Sequence, residues 1–268
     1  MTQIAYVREF NGSSDKIQLT PDDYNAAIGA MSWVAIARHD TTGNRWMISA
    51  AGGSGGEWSF GHNAGGTAPA LWFEATTVNC PSAIFEITDN WCLVACTRAD
   101  GNSTPRWHRY RYSDMDWQHV NHSGAVTETA ALSGASLWIG SYDGASEYWD
   151  GKIACLGVWA GTALSDGQLE GMVDDIASWE ALSPTGLWLL DQSSVATPVS
   201  DRVGTADQIA ITGTTSVAES GLAFDVGGLT LDTALPDADI TTTGWSTAPL
   251  YSKVNDASDA TVITATAS

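Results

Sequence analysis

One stretch, from Ser136 to Val173, limits what this chain can fold into more than any other. Leu137-Trp138-Ile139 is a short apolar run closed by Gly140. A second run, Tyr148 to Trp159, holds Trp149, Ile153, Cys155, Leu156, Val158 and Trp159, and Asp150-Gly151 interrupts its start. Short aromatic and β-branched runs separated by turn residues predict two strands hinged at a glycine-containing bend. Ser165 then stands three residues before Gln168, the spacing of a capping box. Leu164, Leu169, Met172 and Val173 make one apolar face behind it. The predicted order is strand, loop, strand and one short helix.

The rest of the chain up to this stretch has the same texture. Ile4 to Leu19 alternates, breaks at Asn11-Gly12 and resumes at Lys16. Met31 to Arg38 and Asn44 to Ala50 read as a hairpin across Asp40 to Gly43. Trp58 to Gly61, Leu71 to Ala75, Trp91 to Thr97 and Arg106 to Tyr112 read as further strands. About ten to twelve strands before residue 160, at this spacing, predict a two-sheet sandwich. From Pro184 the texture changes. Gly186 to Leu190 reads as a strand, and the residues beyond it are mostly Ser, Thr, Gly, Ala and Asp.

The ordered set Ile139-Gly140, Trp149, Gly151, Ile153, Val158-Trp159, Ala163-Leu164-Ser165 and Leu169 resembles the closing segment of laminin G-like domains. Phe10-Asn11-Gly12, with Asp15 and Ile17, resembles their opening. The resemblance implies a concanavalin A-like jelly roll in which the first strand lies beside the last core strand. A second local resemblance covers Leu187-Trp188, Asp191-Gln192, Thr197-Pro198-Val199, Asp201, Gly204 and Ile211-Thr212-Gly213-Thr214. It is to a terminal segment found after such domains in tailed-bacteriophage virion proteins. Asp232 to Ser268 is similar to the opening strands of a small β-module of those proteins. The fold class expected is therefore all-β: a two-sheet antiparallel jelly roll over 1–183 with one short helix, a β-rich extension over 184–225, and a C-terminal arm or partial module over 226–268.

These resemblances imply a structural accessory protein of a virion, either a capsid decoration protein or a minor tail or fibre component. It would be assembled in the host cytoplasm, exposed on the particle, and present in several copies or as a homo-oligomer. Its partners would be other virion subunits. The alternative is a lectin-like module that binds a glycan or host receptor. In the arm, Ile240, Trp245, Tyr251, Val262 and Ile263 lie in or beside strand-forming runs that can add to a neighbouring subunit's sheet edge. Net charge is −20, concentrated in the C-terminal part: 2 basic against 15 acidic residues beyond residue 160. Such a chain has no basic face for a nucleic-acid backbone or an anionic membrane. No run of eighteen apolar residues occurs, and Met1 to Phe10 has no apolar signal core. The four cysteines, Cys80, Cys92, Cys96 and Cys155, form no CxxC pair and read as small buried thiols.

Catalysis is not expected. Glucanases on this fold carry two Glu at alternate positions of one strand, which sets the carboxylates close on one face. Glu86 with Asp89 has the wrong parity, and Asp114 with Asp116 lacks a Glu and sits beside a turn. His119 and His122 read as part of a polar loop without metal-ligand spacing. Asp143 and Asp150 flank the loop after Ile139 and are the candidates for a rim calcium, but Asp in a glycine-containing loop more commonly forms turns, so no cofactor is expected. Trp107, Tyr110, Tyr112 and Trp117 are the candidates for stacking on sugar rings, although alternation alone does not say which face each takes.

Overall fold

A computed structural model describes residues 6–20, 29–40, 45–51, 57–62, 69–73, 76–81, 89–100, 103–124, 136–192, 194–204, 206–218 and 222. The chain divides into two units, Thr2–Gly227 and Gly228–Ser268 with Met1. The second unit, and with it Ile240, Trp245, Tyr251, Val262 and Ile263, lies outside the described residues.

The first unit is a two-sheet antiparallel sandwich. Its larger sheet runs in the order β10 (Asp116–Asn121), β9 (Arg106–Arg111), β8 (Cys92–Arg98), β3 (Met31–His39), β12 (Asp150–Ala160), β1 (Tyr6–Asn11), β15 (Thr215–Ala218). A further strand, β13 (Gly186–Leu189), pairs with the second half of β12. The smaller sheet runs β14 (Gln208–Thr212), β2 (Lys16–Leu19), β11 (Ser136–Ile139), β4 (Arg45–Ala51), β5 (Trp58–His62), β6 (Pro69–Phe73), β7 (Thr76–Asn79). The first strand does lie beside the last core strand, with Phe10 opposite Gly151.

The hairpin expected from Met31 to Ala50 does not form. β3 pairs with β8 and β12 in one sheet, while β4 pairs with β5 and β11 in the other. The two strands hinged at Gly140 likewise belong to opposite sheets. At Gly140 the turn makes an arch between layers, and the same turn chemistry serves an arch as well as a hairpin. At Gly140 (φ +81°) a Cβ would stand 2.3 Å from the Phe10 ring, so the arch closes only because the side chain is missing.

Alternation along the strands fills two cores. Trp33, Ala35 and Ala37 of β3, with Cys92, Val94 and Cys96 of β8, point between the sheets. Val34, Ile36, Leu93 and Ala95 point outward. That outer apolar face is covered by two short helices, α1 (Asp166–Glu170) and α2 (Ile176–Ala181), where one was expected. The Ser165–Gln168 capping box is present. α2 begins after Asp175, whose carboxylate accepts from the Ser178 N–H at 2.7 Å. Leu169, Met172, Ile176 and Trp179 seal the sheet beneath. All four cysteines are buried free thiols.

The segment after residue 183 is woven into the sandwich: β13, β14 and β15 pair with β12, β2 and β1. Asp201 organises it, its Oδ1 accepting from the N–H groups of Leu187 (3.0 Å) and Val203 (3.1 Å). Trp188 enters the inter-sheet core and donates its indole N–H to the Ala206 carbonyl at 2.8 Å. The motif residues at 187–204 thus fasten this segment to β12, and it belongs to the same unit as the jelly roll.

Candidate functional site

β9 and β10 form a true hairpin at the edge of the larger sheet. Their register pairs Tyr110 with Trp117 and His108 with His119. Alternate residues share a face, so His108, Tyr110, Trp117 and His119 all stand on the outer side of the sheet, beside α1. The rings run in a strip. Tyr110 lies 5.3 Å from Trp117, which stacks on His119 at 5.3 Å and an interplanar angle of 8°. His119 meets His108 edge-on at 5.1 Å.

Of the four candidate sugar-stacking aromatics, three belong to this strip. Tyr110, Tyr112 and Trp117 are half-buried and pack on the outer core. Tyr112 donates its hydroxyl to the Val173 carbonyl at 3.2 Å, so its polar end is tied to the turn after α1. Burial, with Asp174 and Asp114 nearby, raises the Tyr110 hydroxyl above its usual range. Trp107 is fully buried between the sheets against Phe60 and offers no face to a ligand. Parity on β9 separates it from the others. The same parity puts Arg109, Asp116 and Gln118 on the opposite face of the hairpin. There Arg109 donates to Asp116 at 2.9 Å, and Gln118 donates to the same carboxylate oxygen at 2.8 Å.

The far end of the strip is a cluster the sequence did not disclose. Asp116–Asn121 is a strand and not a polar loop, and it carries His119 to His108, with 2.8 Å between the two Nδ1 atoms. Asp166, the first residue of α1, brings Oδ1 to 3.6 Å from His108 Nδ1 and 4.0 Å from His119 Nδ1. Glu170, one turn further along the helix, places Oε1 3.4 Å from His119 Nε2. On its buried side, His108 Nε2 lies 3.0 Å from the Thr97 hydroxyl. Arg106 binds Asp166 with two donors, Nε to Oδ1 at 2.9 Å and Nη2 to Oδ2. That pairing holds the Asp166 carboxyl below the usual range. Burial, reinforced by His119, pushes His108 down to about 3, so its imidazole is neutral.

The calcium candidates are not brought together in one pocket. Asp143 turns into its own loop, accepting from the Ala145 N–H at 2.9 Å and the Ser146 hydroxyl at 3.0 Å. Asp150 lines a cavity of ≈ 330 Å³ with Glu9, Asn11, Asp15 and Asp40. Burial raises both Asp15 and Asp40 there.

No family model matches the sequence, and no curated protein matches it. The fold has solved counterparts. A candidate carbohydrate-binding protein from Bacteroides ovatus aligns with a TM-score of 0.55 over 81% of this chain, at 17% identity. The chain spans 60% of that protein's length. The tailspike protein 2 enzymatically active domain of bacteriophage CBA120 aligns at TM-score 0.45 and 14% identity, over 70% of this chain and 30% of that one. Domains LG4-5 of the mouse laminin alpha1 chain align at TM-score 0.39 and 12% identity, over 60% and 44%. Likeness at these identities speaks for the fold alone. The chain is an all-β, two-sheet jelly-roll sandwich.

Proposed function

We propose that this chain is a non-enzymatic adhesive module of a bacteriophage particle, and that it holds a surface glycan against the outer face of its larger sheet. The observation that carries the reading is the strip of Tyr110 and Trp117 on the edge hairpin, with the carboxylates of Asp174 and Glu170 beside it. Aromatic faces stack on the apolar faces of sugar rings, and carboxylate and hydroxyl groups bind the sugar hydroxyls that those faces leave over. The carbohydrate-binding fold neighbour from Bacteroides is in keeping with this. The virion setting is supported by the resemblance of Leu187–Asp225 to the terminal segment of phage virion proteins. Asp114 and Asp116, the alternate-position acids on β10 and its turn, are taken by Arg111 and Arg109. This supports binding over turnover.

The test is a glycan array followed by titration of any hit. Trp117→Ala and Tyr110→Ala are expected to lower affinity by about tenfold or more each, since a stacked aromatic contributes on the order of 1–3 kcal/mol. Their melting temperatures should fall by no more than a few degrees, because both rings are only half-buried. Unchanged glycan retention in the double variant would remove the strip from the reading.

Attachment to the particle is assigned to the stretch 226–268, with Ile240, Trp245, Tyr251, Val262 and Ile263 as its strand-forming anchors. A chain ending at residue 225 is expected to keep the melting temperature of the jelly roll. It should be missing from virions purified after complementation of a deletion phage. Normal occupancy of the truncated protein would place the anchor on the jelly roll instead.

A further inference from the structure

We propose that His108, His119 and Asp166 form a binding site for a divalent transition-metal ion of the zinc class. The inference rests on the geometry of the three side chains and is independent of the glycan reading.

The three facing atoms are His108 Nδ1, His119 Nδ1 and Asp166 Oδ1, separated by 2.8, 3.6 and 4.0 Å. Those sides define an acute triangle. The point equidistant from its corners lies inside it, about 2.1 Å from each, which is the bond length of zinc to imidazole nitrogen and carboxylate oxygen. An ion at or slightly above that point is within bonding distance of all three donor atoms as they stand. Asp166 is partly exposed, so the cluster lies at the protein surface.

The surroundings of the two imidazoles suit the same role. Each has its other nitrogen beside an oxygen: Thr97 Oγ1 for His108 at 3.0 Å, and Glu170 Oε1 for His119 at 3.4 Å. Ligating histidines are commonly oriented by such partners, which favour the tautomer whose free lone pair faces the metal. His119 Nε2 makes no hydrogen bond among the described residues, so a single proton on His119 Nδ1 accounts for the 2.8 Å contact with His108 Nδ1, and an arriving cation would displace that proton. Arg106 occupies one lone pair on each Asp166 oxygen and leaves Oδ1 with another to give, while fixing the carboxylate plane. Two nitrogens and one oxygen are a donor set for zinc, copper, nickel or cobalt, and a poor one for calcium or magnesium.

The experiment uses the full chain, stripped with a chelator and titrated with Zn²⁺ calorimetrically, with bound metal counted after dialysis. One equivalent should bind, and the melting temperature should rise with free zinc. His119→Gln and Asp166→Asn stand at the exposed rim, so at least one should fold. Each removes a direct ligand and is expected to weaken zinc affinity by about a hundredfold or more, above the roughly tenfold to hundredfold typical of losing an outer-shell partner. His122→Gln, beside the same hairpin but outside the cluster, should bind zinc as the unaltered chain does. Co²⁺ should give an absorption spectrum that the Asp166→Asn protein lacks. The proposal is overturned if the stripped chain takes up no zinc, or if folded His119→Gln or Asp166→Asn protein binds it undiminished.

Discussion

Lowering the pH from about 7 to about 4.5 is expected to destabilise the jelly roll by roughly 3–5 kcal/mol, a fall in melting temperature of about 6–20 °C. The cause is a second pair of histidines, far from the surface strip. His39, at the end of β3, and His62, at the end of β5, face each other between the sheets with ring centroids 4.3 Å apart, and His39 lies 4.6 Å from Trp149. Both are fully buried, and none of their four ring nitrogens has a hydrogen-bond partner among the described residues. Burial, with Arg45 opposing His39, depresses His39 to about 4. Burial, with His39 opposing, depresses His62 to about 3. The sign is set by the state that takes the proton. Between the unfolded value near 6.5 and these folded values, the unfolded chain binds protons that the folded chain refuses. Stability is therefore full above about pH 7 and is lost as pH falls through that window. Each unit of depression corresponds to about 1.4 kcal/mol, and local relaxation reduces the ideal sum.

Other groups modulate the same curve. His108 acts in the same direction. Asp15 and Asp40, raised by burial, act against it near their own titration, because the folded state accepts those protons more readily. The measurement is chemical denaturation at a series of pH values for the unaltered chain and for the His39→Leu/His62→Leu double variant. Leucine is close to histidine in volume and leaves no buried nitrogen unpaired. The double variant should lose most of the dependence above about pH 4.5. A curve parallel to that of the unaltered protein would assign acid sensitivity elsewhere.

The second large effect is expected at Gly151. Its φ is +144°, and a Cβ there would stand 2.2 Å from the Arg38 carbonyl oxygen and 3.0 Å from the His39 Cα. Gly151 is opposite Phe10 on β1 and opposite His39 on β3, so three strands meet at this residue. Gly151→Ala combines backbone strain of about 1–3 kcal/mol with a clash against main chain, which no rotamer change relieves. We expect a loss of roughly 4 kcal/mol or more, or no soluble protein. Gly161→Ala is the control. Its φ is +88°, but nothing lies within 4 Å of the added carbon, so only strain of about 1–2 kcal/mol applies. Equal melting temperatures for the two variants would show that β3 yields to the methyl group.

Much of this architecture was legible in the residues. The spacing of Ser165 and Gln168 marks the cap of α1, and the Phe10-Asn11-Gly12 resemblance puts β1 beside β12. Alternation does not encode the layer to which a strand belongs. Every residue of β3 except Arg38 is buried, on both faces, because helices cover one side and the second sheet covers the other. Asp40 to Gly43 therefore reads as a hairpin turn although β3 and β4 lie in different sheets. The histidine cluster was half readable. Once Arg111 opposes Asp116 across the turn at 112–115, antiparallel register puts 108 opposite 119. The polar residues of Asp116–Asn121 hid the strand, and with it the register. Asp166 left no local trace, since it reaches the cluster only because Leu164 is pinned to β3, its N–H donating to the Ser32 hydroxyl at 2.9 Å.

The placement of β1 also governs the timing of biosynthesis. Arg8 donates to the Ser216 hydroxyl, 208 residues later in the chain, and β1 lies between β12 and β15. β1 is thus synthesised long before the strands that flank it. At roughly 5–20 residues per second, β1 waits on the order of 10–40 s for β15 to be synthesised. Until β12 is made both edges of the strand lack their partners, and until β15 is made one edge still does, a template for association with another nascent chain. Closure of this sandwich is dominated by long-range pairing, and its rate is set by topology more than by the strength of any one contact.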